Sequence, residues 1–194
     1  MPPVQAFIGS EVAGALAQKF GTQVSIGKVN LGFFNRIIID DVMMLDQKGD
    51  SMICASRVSA KLDFLPLKDG KISVSSAQLF GLNANIYKQD AKSPMNIQFV
   101  LDSLASKDTP RHTPLDLHIG SLIIRHGAVA YNQRDIAPKP GVFSPQHLGI
   151  TDLSAHIILG HLTDNDIHLA VKKIALKDKS GLQLRNLRFK LDAD

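Results

Sequence analysis

The chain has 194 residues, enough for one domain with a real core, and its single cysteine, Cys54, excludes an internal disulfide and a cysteine zinc cluster. Trp is absent and Glu11 is the only glutamate; the other acids are aspartates, which suit turns and strand ends better than helix interiors and so favour β structure. A formal charge of +4 permits attraction to anionic lipid or nucleic acid without demanding either.

Pro2 and Pro3 lead into a helix. Val4, Ile8, Val12, Leu16 and Phe20 recur every four residues and form one apolar stripe, with Lys19 in the last turn and Gly21 as the stop. Gly9 and Gly14 weaken this helix, so it depends on packing against something else. No apolar run is long enough to cross a bilayer, and no basic-apolar-small signal peptide starts at Met1. That leaves a soluble protein or a piece freed from its targeting segment.

From Val24 onward one pattern recurs: apolar, one gap, apolar, two gaps, apolar, one gap, apolar. Its copies are Val24/Ile26/Val29/Leu31, Ile37/Ile39/Val42/Met44, Ile72/Val74/Ala77/Leu79, Leu117/Ile119/Leu122/Ile124, Leu148/Ile150/Leu153/Ala155, Leu169/Val171/Ile174/Leu176 and Leu182/Leu184/Leu187/Phe189. Alternation of period two means a strand with one apolar face. Two gaps in the middle would flip the second half to the other face, and a β-bulge cancels the flip while bending the strand. The rival is a two-residue hairpin, which wants glycine, Asn-Gly or Asp-Gly at the gap. The gaps are Gly27-Lys28, Asp40-Asp41, Ser75-Ser76, Gly120-Ser121, Thr151-Asp152, Lys172-Lys173 and Arg185-Asn186. Only two begin with glycine, so the bent strand is the better reading.

Between the copies, Lys48-Gly49-Asp50 reads as a turn, Arg57 to Phe64 as a cleanly alternating strand and Asp69-Gly70 as a hairpin signal. From Lys88 to Pro114 the pattern stops. Ile97, Val100, Leu101 and Leu104 have helical spacing, with Asn96 as a plausible cap. Tight turns are expected at Asp164-Asn165-Asp166 and Ser180-Gly181. The chain ends directly after a strand, and such an edge is a hazard unless something pairs with it, so more chain is expected to follow.

The expected fold is mainly β: a curled antiparallel sheet forming an open apolar groove, with an N-terminal amphipathic helix and one short inserted helix. It is one domain over 1–194, with a helix at 1–21, a first sheet part at 22–87, an insertion at 88–114 and a second sheet part at 115–194. The inward, groove-lining set is Val24, Ile26, Val29, Ile39, Val42, Val58, Leu62, Phe64, Ile72, Val74, Leu117, Ile119, Leu122, Leu153, Val171, Ile174, Leu184 and Leu187.

The search for reactive groups finds little. Seven histidines are present, none with the spacing that puts two ligands on one helix face. His118, His156 and His168 fall at outward strand positions and read as solvated. Asp40-Asp41 occupies a bulge gap, where a structural role is favoured. Cys54 has no evident base partner. No nucleophile-elbow serine motif, phosphate loop or dinucleotide fingerprint is present, so neither an enzyme nor a cofactor nor a metal is expected. Nucleic acid fits poorly, because the nine Phe and two Tyr sit mostly at the inward phase rather than among basic residues.

Four stretches, Gly21-Thr22-Gln23-Val24-Ser25-Ile26-Gly27-Lys28-Val29, Gly32-Phe33-Phe34-Asn35 with Ile39-Asp40-Asp41-Val42, Ser76-Ala77-Gln78-Leu79-Phe80-Gly81 and Leu104-Ala105-Ser106-Lys107-Asp108, carry a resemblance. Over nearly all its length the chain resembles the N-terminal part of the TamB proteins of the Bacteroidetes, within the AsmA-like superfamily. The resemblance implies a long periplasmic protein, anchored in the inner membrane by an N-terminal helix, whose sheet curls into an apolar groove (a β-taco). It implies an Omp85-type outer-membrane partner at the far end, and phospholipid carried between the two membranes. An older view of the family makes its members assembly factors for outer-membrane proteins and their secretion, which would work here by β-augmentation. The anchor and the distal domain are not in this chain, so it is expected to be a fragment.

Overall fold

The computed structural model describes residues 2–33, 35–63, 72–105, 115–116, 120–163 and 166–193. The chain order is α1 (Pro2–Phe20), β1 (Val24–Ser25), β2 (Val29–Gly32), β3 (Arg36–Leu45), β4 (Ser51–Asp63), β5 (Ile72–Phe80), β6 (Asn83–Lys88), α2 (Gln98–Ala105), β7 (Leu115–Asp116), β8 (Ser121–Gln133), β9 (His147–Thr163), β10 (Asp166–Asp178) and β11 (Gln183–Ala193). The fold is mainly β. The signals at Asp69-Gly70 and Asp164-Asn165 fall outside the described residues.

The eleven strands form one sheet, ordered β1-β3-β4-β5-β8-β9-β10-β11. Several are end-to-end pieces of one column. β1 and β2 both pair with β3, β5 and β6 both pair with β4, and β7 and β8 both run beside β5. At about 4.8 Å per strand, these eight columns span roughly 34 Å.

The sheet is mixed, which corrects the antiparallel expectation. β8 runs parallel to β5 and β6, with Ser76 beside Ser121 and Asn83 beside Ala128. A parallel neighbour needs a long crossover, commonly with a helix in it. The stretch read as an insertion is that crossover. It carries α2 and brings the chain back to the starting end of β5.

A bulge marks four of the seven gaps, while Asp40-Asp41 keeps its register against β4, with Asp40 facing Arg57 and Val42 facing Ala55. Lys61 pairs with Ser76 but Leu62 with Val74, which leaves Ser75 as the extra residue. Register shifts also fall at Lys172-Lys173, where Val171 faces Phe189 and Ile174 faces Leu187, and at Arg185-Asn186, where Leu176 faces Leu184. Another spans Thr151-Asp152. β1 and β2 keep one register along β3 across Gly27-Lys28, so that gap interrupts the strand without shifting it. Among the described residues none of these gaps is a hairpin turn.

The bends line up. Asp41, Gly81, His126 and Asp152 have φ of 57°, 60°, 54° and 52°. Asp41 falls between the pairs Asp40–Arg57 and Val42–Ala55. Gly81 falls between Arg57–Phe80 and Cys54–Asn83, and His126 between Phe80–Arg125 and Asn83–Ala128. Left-handed residues thus cross neighbouring columns at one height. A side chain there is uncommon except for Asn, Asp, His or Gly, which are the types found.

Two apolar clusters share one face. Phe20, Val24, Met44, Met52 and Val100 form the first, where the end of α1 and α2 cover the β1–β4–β6 end. Leu82, Ala84, Ile124, Leu153 and Ala155 form the second, extended by Ile157, Ile174 and Leu176. Ile53 and Ile86 pack against both. The helix forecast at Ile97 begins at Gln98. Asn96 does not cap it; its side chain accepts a hydrogen bond from the Tyr87 amide and donates one to the Asn85 carbonyl, tying the crossover to β6.

Candidate functional site

The pairing registers place the apolar residues in rows that cross the sheet. One row runs Val29, Ile39, Val58, Leu79, Ile124, Ala155, Ile174, Leu187. A second runs Leu31, Ile37, Ala60, Ala77, Leu122, Ile157, Val171, Phe189. Beyond the line of bends a third runs Val24, Met44, Ile53, Ala84, Val129, Ile150. No polar residue interrupts any of them. Where the register shifts, a bulge restores the face that a two-residue gap would have reversed, and on β3, where it does not shift, the left-handed Asp41 lies at the gap.

Of the expected inward set, Val24, Val29, Ile39, Leu153 and Val171 are buried. Ile26, Val42, Val58, Leu122, Ile174 and Leu184 are half-buried, and Leu187 is exposed. The set therefore does not lie in one environment. Phe64, Leu117 and Ile119 lie outside the described residues, as do the side chains of Leu62, Ile72 and Val74. Leu79, Ile124, Ile157 and Phe189 belong to the rows but not to the expected set. Continuing the alternation through the ends of each copy would have found them.

Exposure along the face changes from one end to the other. On β11, Leu187, Phe189 and Leu191 are 40%, 42% and 46% exposed, while their row partners Ile174 and Val171 on β10 are half-buried and buried. β11 closes the sheet order and, among the described residues, has one paired neighbour, β10. At the other end α1 and α2 lie against Val24, Met44 and Met52, while Leu31, where the second row begins on β2, is 78% exposed.

The polar clusters are occupied by their own bonds. Asp46 is buried in the turn between β3 and β4. Its carboxylate accepts the Lys48 amide at 2.8 Å, the Asp50 amide at 3.0 Å and the Tyr87 hydroxyl at 2.8 Å. Burial works against its ionisation, but these hydrogen bonds outweigh it and hold the carboxyl below its ordinary range. Burial and the neighbouring carboxylate push the Tyr87 phenol up. Arg134 stacks over the Tyr87 ring at 3.5 Å from its centroid. A pocket of about 470 Å³ opens beside this cluster, walled by Tyr87, Met95, Asn96 and Phe99. Asp178 repeats the turn between β10 and β11. The Ser180 side chain favours its charged form most, the Ser180 and Gly149 amides donate to it at 2.9 and 2.8 Å, and together they outweigh burial and hold it below its ordinary range too.

Asp40 receives Arg57 Nε at 2.7 Å, and Asp41 supplies a left-handed bend, so this pair is structural. His168 is not merely solvated: its Nδ1 lies 2.7 Å from Asp192. His156 Nε2 lies 3.4 Å from the Ser121 hydroxyl. His118 lies outside the described residues. Among the described residues no group of three or more His, Cys, Asp or Glu could hold a metal, and no helix is long and apolar enough to cross a membrane. In comparison with known proteins, no family model and no curated protein matches this chain.

Proposed function

We propose that the apolar face is an open groove that holds phospholipid acyl chains, while headgroups stay in water along its seam, and that the protein carries lipid without catalysis. The observation that carries this reading is the pair of uninterrupted apolar rows eight columns long that become solvent-exposed on β11. Contiguous exposed apolar surface marks a site of interaction. An acyl chain needs only continuous apolar contact, with no specific polar partner, and the rows offer that. With the TamB resemblance, the reading extends to transport between inner and outer membrane, in the periplasm, with membrane attachment and an Omp85-type partner supplied outside the residues seen here.

The test is mass spectrometry of lipid co-purifying with the chain, compared with Leu187→Asp and Phe189→Asp. Both positions are already exposed, so both variants should fold. The expected result is bound phospholipid in the parent and its loss in the variants, because an acyl chain would have to pass an ionised carboxylate. No lipid in the parent, or unchanged lipid in both variants, defeats the proposal.

A second reading rests on β11 as the last strand of the sheet order. Its open side could accept a strand of an unfolded outer-membrane protein by β-augmentation, which would make the protein a periplasmic chaperone or scaffold. Unchanged lipid in both variants would favour it.

A further inference from the structure

The hairpin between β2 and β3 carries the apolar face out to an exposed tip, where Leu31 of the second row is joined by Phe33. Leu31 is 78% exposed and Phe33 is 89% exposed. Val29, two residues before Leu31, is 3% exposed. The same strand therefore runs from the core out to a bare tip. The turn itself does not call for these side chains. Gly32 pairs with Arg36, so the loop is three residues long, and Asn35 supplies its left-handed position at φ 61°. Gly, Asn, Asp, Ser and Pro are the usual residues of such a tip. Here the sequence is Phe33-Phe34-Asn35, two aromatics where the backbone needs none.

Just behind the tip the charge is mixed, with two cations to one acid. Arg36 and Lys61 face each other across β3 and β4, and Lys61 is exposed. Asp63 lies two residues further along β4. An apolar nose with basic shoulders fits an anionic bilayer surface: the rings enter the acyl boundary while the cations meet headgroup phosphates. A protein pocket would also take a phenylalanine, but paired cations behind the tip favour the phosphate-rich surface.

We infer that the Leu31–Phe33 hairpin tip inserts into the surface of an anionic phospholipid bilayer and docks the first-strand end of the sheet against it. This rests on the exposed tip, where the second row ends at Leu31, and not on the groove holding acyl chains.

The chain contains no tryptophan, so Phe33→Trp gives a single reporter at the tip. Phe143→Trp gives a control in the loop before β9, where Phe143 is 50% exposed and Val142 is 59% exposed. Each full chain is mixed with vesicles of phosphatidylcholine and phosphatidylglycerol, some carrying brominated acyl chains. The expected result is that emission from the Phe33→Trp chain moves to shorter wavelength and is quenched by bromine, while emission from the Phe143→Trp chain does neither. Leu31→Ser with Phe33→Ser should weaken vesicle sedimentation by about tenfold or more, and Leu187→Asp should leave it unchanged. Three results overturn the inference: no vesicle response from the tip reporter, an equal response from both reporters, or a blue shift of the tip reporter that follows protein concentration without vesicles and reports self-association.

Discussion

The two ends of the sheet share one pattern and differ in what lies over it. At the β1–β4 end, Phe20 from α1 and Val100 from α2 pack onto Val24, Met44 and Met52, and the apolar face becomes a core. At the β10–β11 end the other two rows reach Leu187 and Phe189, each about two-fifths exposed. An apolar, one gap, apolar, two gaps repeat therefore specifies a face and a bend but not a cover. The cover is a separate decision, made here by two helices at one end.

The largest expected effect breaks the comparison at its covered end. Met52 is 1% exposed. Met52→Asp buries an unpaired charge and should cost more than about 4 kcal/mol, enough to abolish cooperative folding. Leu187→Asp, on the bare end, should stay within about 1 kcal/mol. Urea melts followed by far-UV circular dichroism measure both, and similar costs would mean that the ends do not differ.

The matched turns give an intermediate effect. Tyr87→Phe removes the hydroxyl that reaches the buried Asp46 carboxylate and should cost about 1.5–3 kcal/mol. Asp46 and Asp178 both titrate lower in the folded chain than unfolded, where an aspartate titrates at about 3.9. Their contribution is thus fully present above that value and is lost as pH falls through the folded values. Urea midpoints should drop below about pH 4, and Asp46→Asn should flatten that acid limb. An acid limb identical in Asp46→Asn would remove Asp46 from the account.

The smallest effect concerns the bend line. Gly81→Ala keeps φ at 60° and sets a Cβ against the Ser56 hydroxyl, so about 1–3 kcal/mol should be lost. Gly49→Ala, also left-handed at φ 87° but with nothing within 4 Å, should lose about 1 kcal/mol. Equal losses would show that the approach of Ser56 carries no cost.

Much of this sheet was legible because period-two alternation and bulge gaps are local signals. Ser75, Lys172-Lys173 and Arg185-Asn186 shift register where their spacing said they would. The parallel seam was not legible. The crossover shows in sequence only as the place where the repeat stops, and nothing local tells which way the returning strand runs. Asn96 illustrates the same limit: its residue type suits a helix cap, but its partners are on β6, in a different element. For the candidate site, phase identified the apolar face, while exposure depended on the distant helices. The bare tip at Phe33 was visible only as a motif, because a phenylalanine in sequence does not declare whether anything will cover it.

The parallel seam has a consequence for how the chain assembles. β8 to β11 are linked by successive antiparallel pairings, and β1 to β6 pair among themselves. Each half can close through near neighbours in sequence at low entropic cost. The seam instead joins residues as distant as Ser76 and Ser121, with the α2 crossover between them. Topology therefore makes it the slow contact, and until it closes each half shows an unpaired edge, β5–β6 on one and β8 on the other. The two edges that complete the sheet are the same two that leave the nascent chain most open to pairing with another copy.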